Sequence, residues 1–431
     1  MSQARIDDGG PIGYRDLLRR NASFRLVWYG QIVSLLGDWF NLIASASLVA
    51  QLTGSGAAVG GLFVVRMLAP FLVSPIAGVA ADRYSRKRLL ILTDLGRAIA
   101  VFGFLLVQDA QYVWLLFALT AIQLALSGFF FPARNAILPD LVSSRELGAA
   151  NALSSATWSV LLAFGAALGG VVAGGWGIYP AFVIDALTFL VSAAFISRIA
   201  YTAPPVPAAS ESMLRTAHRQ YVEGLRYLRQ NRDVLAISLH KAAIALIVSG
   251  PLQVIQVVLA ERLFVIGEGG GTGLGLMYAA AGVGTGIGPI IARRFTGDRD
   301  PSLRVVIALS YAIAALGLIL LIPLRSFGMV LAGTTLRAVG GGIGWVFSTQ
   351  LLLYLVPSHV RGRVFSTEFA LFTLTNAIGA AVGGWALDAA AIEVADLLRW
   401  MALLTLIPGA LWTLWIVGVR RTRQPETGLG D

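Results

Sequence analysis

Gly78-Val79-Ala80-Ala81-Asp82-Arg83-Tyr84-Ser85-Arg86-Lys87-Arg88 sits between two long apolar runs. From Asp82 to Arg88, one acid and four bases fall within seven positions. Hydrocarbon does not tolerate such a cluster, so the stretch marks a loop at a bilayer surface. Its sign selects the surface, because loops rich in Lys and Arg stay in the cytoplasm.

Composition agrees with a membrane solvent. Only 13% of the 431 residues are charged and 57% are hydrophobic, against roughly 25% charged in a soluble domain. The mean hydropathy is +0.75. The net charge of +10 is carried almost wholly by Arg, since Lys87 and Lys241 are the only lysines. In a soluble domain such basicity would suggest nucleic acid. Here the bases lie in short loops between apolar runs, which suits an anionic inner leaflet, and no nucleic-acid partner is expected. The chain has no cysteine, which excludes a disulfide framework and thiol chemistry. Residues 1–21 are polar, and the first apolar run is too long for a cleavable signal.

A membrane-crossing helix needs about 20 apolar residues. Twelve runs qualify, near 24–50, 57–80, 88–108, 112–132, 149–174, 177–198, 235–260, 273–293, 303–324, 327–354, 365–387 and 396–419. The loops between them alternate in charge. One side carries Arg83, Arg86, Lys87 and Arg88, then Arg134 and Arg145, then a run of Arg from Arg215 to Arg232. Loops 51–58, 108–111 and 174–178 are poor in bases. An even number of spans with this asymmetry places both termini in the cytoplasm of a multi-pass inner-membrane protein. The polar gap 199–233 opens with Pro204, Pro205 and Pro207, which break helices. Leu214, Ala217, Tyr221, Leu225 and Leu228 then share one face among arginines, predicting an amphipathic helix on the inner membrane surface. The expected organisation is a cytoplasmic segment 1–23, a six-helix bundle 24–198, the linker 199–233, a second six-helix bundle 234–419 and a cytoplasmic tail 420–431.

The two halves echo each other. Gly165-Ala166-Ala167-Leu168-Gly169-Gly170 in the fifth span returns 214 residues later as Gly379-Ala380-Ala381-Val382-Gly383-Gly384 in the eleventh. The Gly78-x-x-x-Asp82-Arg83 pattern returns as Gly288-x-x-x-Ala292-Arg293, without the acid. Repeats of six spans are a transporter design, with the substrate site between the halves near mid-membrane.

On these residues the chain resembles the major facilitator superfamily over its whole length: an all-α membrane protein of two pseudo-symmetric six-helix bundles. The loop pattern G-x-x-x-D-R-x-x-R-[KR] is similar to that family's signature, with Ser85 where glycine is usual. Phe24-Arg25-x-x-Trp28-x-Gly30-Gln31, Ser74-Pro75-x-Ala77-Gly78, Phe131-Pro132-Ala133-Arg134, Asp185-Ala186-x-Thr188-Phe189 and Arg361-Gly362-Arg363-Val364 further resemble the drug:proton antiporter subgroup of macrolide-efflux and enterobactin-exporter-like proteins. The resemblance implies alternating access. It also implies a switch loop of Gly78, Asp82, Arg83, Arg86 and Lys87, in which Asp82 meets the start of the eleventh helix at Phe365-Ser366-Thr367, a favourable place for a carboxylate. The fifth-span element resembles the antiporter signature G-P-x-x-G-G, with Ala166 in place of proline.

Ionisable groups inside spans are functional candidates. Asp38 lies about 14 residues into the first span, roughly 21 Å deep at 1.5 Å per residue. Arg66 reaches a similar level in the second. Two readings stand: a proton-coupling acid with its partner, or a permanent pair aligning two helices. Asp94 and Arg97 are three apart and suit a local structural pair. Asp185 suits helix packing over cation binding. Lys241 can snorkel to the inner face, and His240 is read as a packing residue ahead of a titrating one. Arg337, beside Gly340 to Gly342, attracts an anionic substrate or pairs across the bundle. Trp39, Trp158 and Trp345 lie well inside their spans and are cavity candidates, although aromatics also belt membrane surfaces.

Other signals fail. Gly269-Gly270-Gly271-Thr272-Gly273 lacks the Lys-Ser/Thr ending of a phosphate loop and reads as a turn. His218, His240 and His359 are scattered, and no metal, cofactor or nucleophile–base set is expected. Asn21-Ala22-Ser23 matches a glycosylation acceptor on the cytoplasmic side. The expected function is a monomeric, proton-coupled exporter of amphipathic or drug-like molecules. The alternatives are export of a native metabolite such as a siderophore, lysolipid movement, and a non-transporting membrane sensor or scaffold.

Overall fold

The computed structural model describes residues 13–201, 213–296 and 300–423. A short helix, Tyr14–Arg20, precedes the first span, Ala22–Thr53. The next five are Gly56–Arg83, Arg86–Gly103, Val113–Leu141, Ser144–Gly175 and Ile178–Ser197. A linker helix, Met213–Gln230, leads to the seventh span, Arg232–Leu263. Gly271–Thr296, Asp300–Leu321, Phe327–Leu355, Ser358–Asp388 and Val394–Arg423 complete twelve. The fifth is bent by 42° between Arg145–Leu162 and Phe164–Gly175. No strand occurs among the described residues.

Local chemistry sets the ends of these helices. Asn21 Oδ1 accepts from the Phe24 amide at 2.9 Å, Ser55 Oγ from Ala58 at 3.0 Å and Ser326 Oγ from Met329 at 3.2 Å, each satisfying a free first-turn donor. Ser143 and Glu146 form a capping box at the fifth span. Gly54 ends the first span at φ +57°, a left-handed conformation glycine adopts without steric cost. In the seventh span, Ala245–Ser249 is wound as a π-helix immediately before Gly250-Pro251. Proline has no N–H to give, and a widened turn ahead of it absorbs the mismatch.

The buried apolar core shows how the halves meet. One cluster runs through both: Val59, Leu62 and Ala173 of the first half join Leu252, Val258 and Leu274 of the second. It lies toward the end carrying the loops near 54, 176 and 267, hereafter the far end. Toward the end carrying the described termini, the core divides. Val27, Leu90, Phe130 and Ile137 form a cluster within the first half. Leu228, Val234, Ile307 and Phe347 form another within the second half and linker. The halves thus share one buried core at the far end and have separate buried clusters at the other, where the linker helix lies against both the second and the eleventh spans.

The linker helix docks on the chain more than its amphipathic pattern indicates. Leu228 enters the core of the second half. A Cβ on Gly224 would stand 2.7 Å from the Arg363 carbonyl oxygen, and Glu223 pairs with Arg363 at 2.7 Å. Tyr221 and Leu225 stay exposed. The Leu214 and Ala217 side chains and Pro204, Pro205 and Pro207 lie outside the described residues.

Candidate functional site

Glycine makes the far-end closure. The fifth and eighth spans touch where a Cβ on Gly170 would stand 2.7 Å from Gly275 Cα, and one on Gly275 would stand 2.6 Å from Gly170 Cα. The second and eleventh touch where a Cβ on Gly60 would lie 2.6 Å from the Ala380 carbonyl oxygen. The last glycine of each repeat, Gly170 and Gly384, therefore lies on a surface between halves, where small residues let helices approach closely, while Gly379 and Gly383 pack on the seventh span of their own half. Gly165 and Gly169 also make room for Trp39, whose ring packs on Tyr278 at 5.9 Å. The Gly267–Gly270 turn, with φ of +55° to +77° at three glycines, packs against Gln51 and Gly174 of the first half.

A polar latch joins the same end. The Asp388 carboxylate, at the close of the eleventh span, accepts from Ser55 Oγ at 2.6 Å, the Gly56 amide at 2.9 Å and the Ala57 amide at 2.8 Å. It thus caps the N-terminus of the second span from the other half, where free amides and the helix dipole favour an anion. Arg262 donates to the Gly54 carbonyl beside it.

At the opposite end, the charged loop folds onto its own half. Arg86 pairs with Asp140 at 2.6 Å and donates to the Ala136 carbonyl, and Lys87 donates to the Ile199 carbonyl at 2.7 Å. Arg83 belongs to the last turn of the second span. The Asp82 side chain lies outside the described residues. A Cβ on Gly78 would find nothing within 4 Å, nor would one on Gly286 of the eighth span.

Within the first half, charges from four spans gather. Asp94 and Arg97 form a direct ion pair, buried at 0% and 1% exposure, with the guanidinium over the rings of Phe130 and Phe189 at 4.3 and 4.2 Å. Asp185 is fully buried, and a Cβ on Gly37 would collide with it and with Thr188. Asp38 has Arg97, Arg66 and Asp94 as charged neighbours, and Asp185 has Asp38, Arg97 and Arg66. Asp38 and Arg66 are not bound to each other as a direct pair: Arg66 Nη1 donates to Asn41 Oδ1 at 3.3 Å. Asn41 is one helical turn beyond Asp38 and intercepts the guanidinium, so the expected two-residue pair is part of a shared cluster.

The second half holds two adjoining cavities of about 180 and 250 Å³, with Lys241, Trp345 and Phe372 in the walls of both. Lys241 Nζ pairs with Glu368 at 2.7 Å, donates to Thr349 Oγ1 at 2.7 Å and sits 4.5 Å from the Trp345 ring centroid. Both charged side chains are 4% exposed, so Lys241 is tied inside the bundle and does not snorkel. His240 Nδ1 shares a 2.5 Å hydrogen bond with the Tyr311 hydroxyl. Arg337 also lines the smaller cavity. Trp158 is half-exposed and Trp39 is packed on glycines, and neither lines these cavities.

Glu368, Asn41, Tyr278 and Asp388 are absent from the sequence expectations. Glu368 carries a signal, since it is an acid inside the apolar run 365–387. Asn41, Tyr278 and Asp388 carry none, because their partners are distant in sequence.

Known proteins match this architecture. BacE of Bacillus subtilis (strain 168), named for export of bacilysin, is 27% identical over 84% of this chain and 87% of its own length. The enterobactin exporter EntS of Escherichia coli (strain UTI89 / UPEC) is 25% identical over 96% and 97%. The crystal structure of a bacterial homologue of the human lysosomal transporter Spinster, inward-facing and unoccupied, superposes with a TM-score of 0.68 at 16% identity, covering 95% of this chain and 100% of that one. The Major Facilitator Superfamily description matches residues 27–267, and with eleven spans and one further bent one among the described residues the chain belongs to that superfamily of transporters.

Proposed function

We propose that the chain exports amphipathic small molecules across the cytoplasmic membrane by alternating access, in exchange for protons, with both termini in the cytoplasm. The arginine-rich loops support that orientation. With it, the divided core opens to the cytoplasm, the side from which an exporter loads. Both relatives are named for export of a small molecule, bacilysin or enterobactin.

The observation carrying proton coupling is a mismatch of charge. Among the described residues, Asp38 and Asp185 have Arg66 and Arg97 as neighbouring cations and Asp94 has Arg97. Asp94 takes Arg97 directly. Arg66 remains for Asp38 and Asp185, so one buried carboxylate has no cation of its own. A surplus charge inside a bundle is costly, and a proton removes it. Asp38 is the one of the two that is not fully buried by solvent exposure, and the exchangeable proton is assigned to it.

The test begins in a pump-deficient bacterial host, where expression confers resistance to a defined set of amphipathic compounds. In proteoliposomes, an imposed pH gradient drives those compounds against their own gradient. Asp38→Asn abolishes the proton-driven movement and leaves downhill exchange. Full proton-driven transport by that variant would refute the coupling role, and no flux of any compound would refute export.

A further inference from the structure

Arg337 stands out in the wall of the smaller cavity. The neighbouring cation, Lys241, has Glu368 at 2.7 Å. Arg337 has no carboxylate within ion-pair distance among the described residues, and the Tyr278 phenol lies near it. Its Nε is shut off from solvent and finds no acceptor, and the Tyr278 hydroxyl is likewise buried without a partner. A guanidinium has five donors and no way to discharge itself. Taken out of water, it needs an anion to offset the loss of hydration.

The packing holds Arg337 in place. Gly317 of the ninth span lies so close that a Cβ there would collide with the Arg337 backbone. The side chain runs along a floor of bare backbone, where a Cβ on Gly341 would stand 3.7 Å from Arg337 Nη1. In the same lining, Trp345, two turns along the tenth span from Arg337, and Phe372 of the eleventh meet edge to face at 5.0 Å. One held cation, an aromatic pair and the bare backbone of Gly340, Gly341 and Gly344 therefore line one cavity, a concave site with few polar groups.

We propose that this cavity selects molecules bearing a carboxylate on an aromatic body, with Arg337 as the counter-charge and Trp345 and Phe372 as the aromatic seat. Glu368 leaves Lys241 neutralised, so discrimination by charge falls to Arg337. The proposal rests on the transport reading for its purpose and on the cavity alone for its binding.

Three fluorescent probes with one aromatic body separate the possibilities: dansylglycine, an anion; dansylamide, neutral; and dansylcadaverine, a cation. Binding to the purified full-length chain is measured by energy transfer from tryptophan, with partition into empty micelles subtracted. Wild type binds dansylglycine about tenfold tighter than dansylamide, the effect of a charge-assisted hydrogen bond, and dansylcadaverine weakest. In Arg337→Gln the ratio of dansylglycine to dansylamide affinity falls to about one, and in Arg337→Lys it keeps an intermediate value. Equal binding of the three probes by wild type, binding of none, or a preference that survives Arg337→Gln overturns the proposal. The wild-type comparison needs no variant to fold. An intact preference without flux in proteoliposomes would sink the transport reading and leave the binding site standing.

Discussion

Replacing Gly275 with Ala adds one methyl group where backbone of the two halves meets. That carbon would stand 2.6 Å from both Gly170 Cα and the Ala166 carbonyl oxygen. These are backbone atoms, with no side chain to swing aside. Ordinary contact begins at 3.4 Å, so the fifth and eighth spans have to part by about 0.8 Å. Forcing a methylene into a packed interface costs about 1–3 kcal/mol. The clash exists only with the far end closed, so it changes the ratio of closed to open far end by about 5- to 150-fold. A cysteine-free chain allows this to be read with spin labels at introduced cysteines. Gln108 and Val265 report on the far end, one from each half, and Tyr84 and Phe295 report on the other end; all four are exposed. Gly275→Ala is expected to add a longer-distance population for the first pair and a shorter one for the second. Gly286→Ala, on the same span with nothing within 4 Å, leaves both unchanged. Distances identical to wild type in a folded Gly275→Ala protein would refute the claim that glycine packing holds the far end shut.

Two further outcomes follow from the polar contacts. Asp388→Ala removes the acceptor for Ser55 Oγ and two second-span amides; as with other lost N-caps it costs about 1 kcal/mol, so the same spin-label pairs shift in the Gly275→Ala direction by several-fold, and an unchanged ratio would show the latch to be idle. Glu368→Ala strands the Lys241 ammonium at 4% exposure, a loss of about 3–5 kcal/mol when a buried pair is broken. Its melting temperature drops, while Lys241→Met with Glu368→Leu recovers much of the loss; equal melting of single and double variants would refute the pairing.

Much of the fold was legible in the chain. Twelve apolar runs became twelve spans because a backbone in lipid has no other solvent for its hydrogen bonds. The glycine repeat at 165–170 and 379–384 showed the duplication, but that only Gly170 and Gly384 of it meet the other half was not legible. Asp94 and Arg97 met because three residues on a helix are neighbours. Partners on different helices were less accessible. Asp38 and Arg66 share a depth, but which atom Arg66 reaches depends on Asn41, and helix rotation decided that. Trp158 satisfied the same depth criterion as Trp345, yet only Trp345 lines the described cavities.

The sequence by itself determined the solvent, the number of crossings, the twofold plan and the stock of intramembrane charge, because hydropathy and charge are written locally, residue by residue. Only the tertiary structure decided which end of the bundle is sealed, how three acids divide two arginines, that Lys241 is neutralised by Glu368, and that Arg337 has no carboxylate beside it among the described residues. Those outcomes depend on helix rotation and on approach between residues over a hundred positions apart, and pairwise geometry of that kind exists only once the bundles have packed.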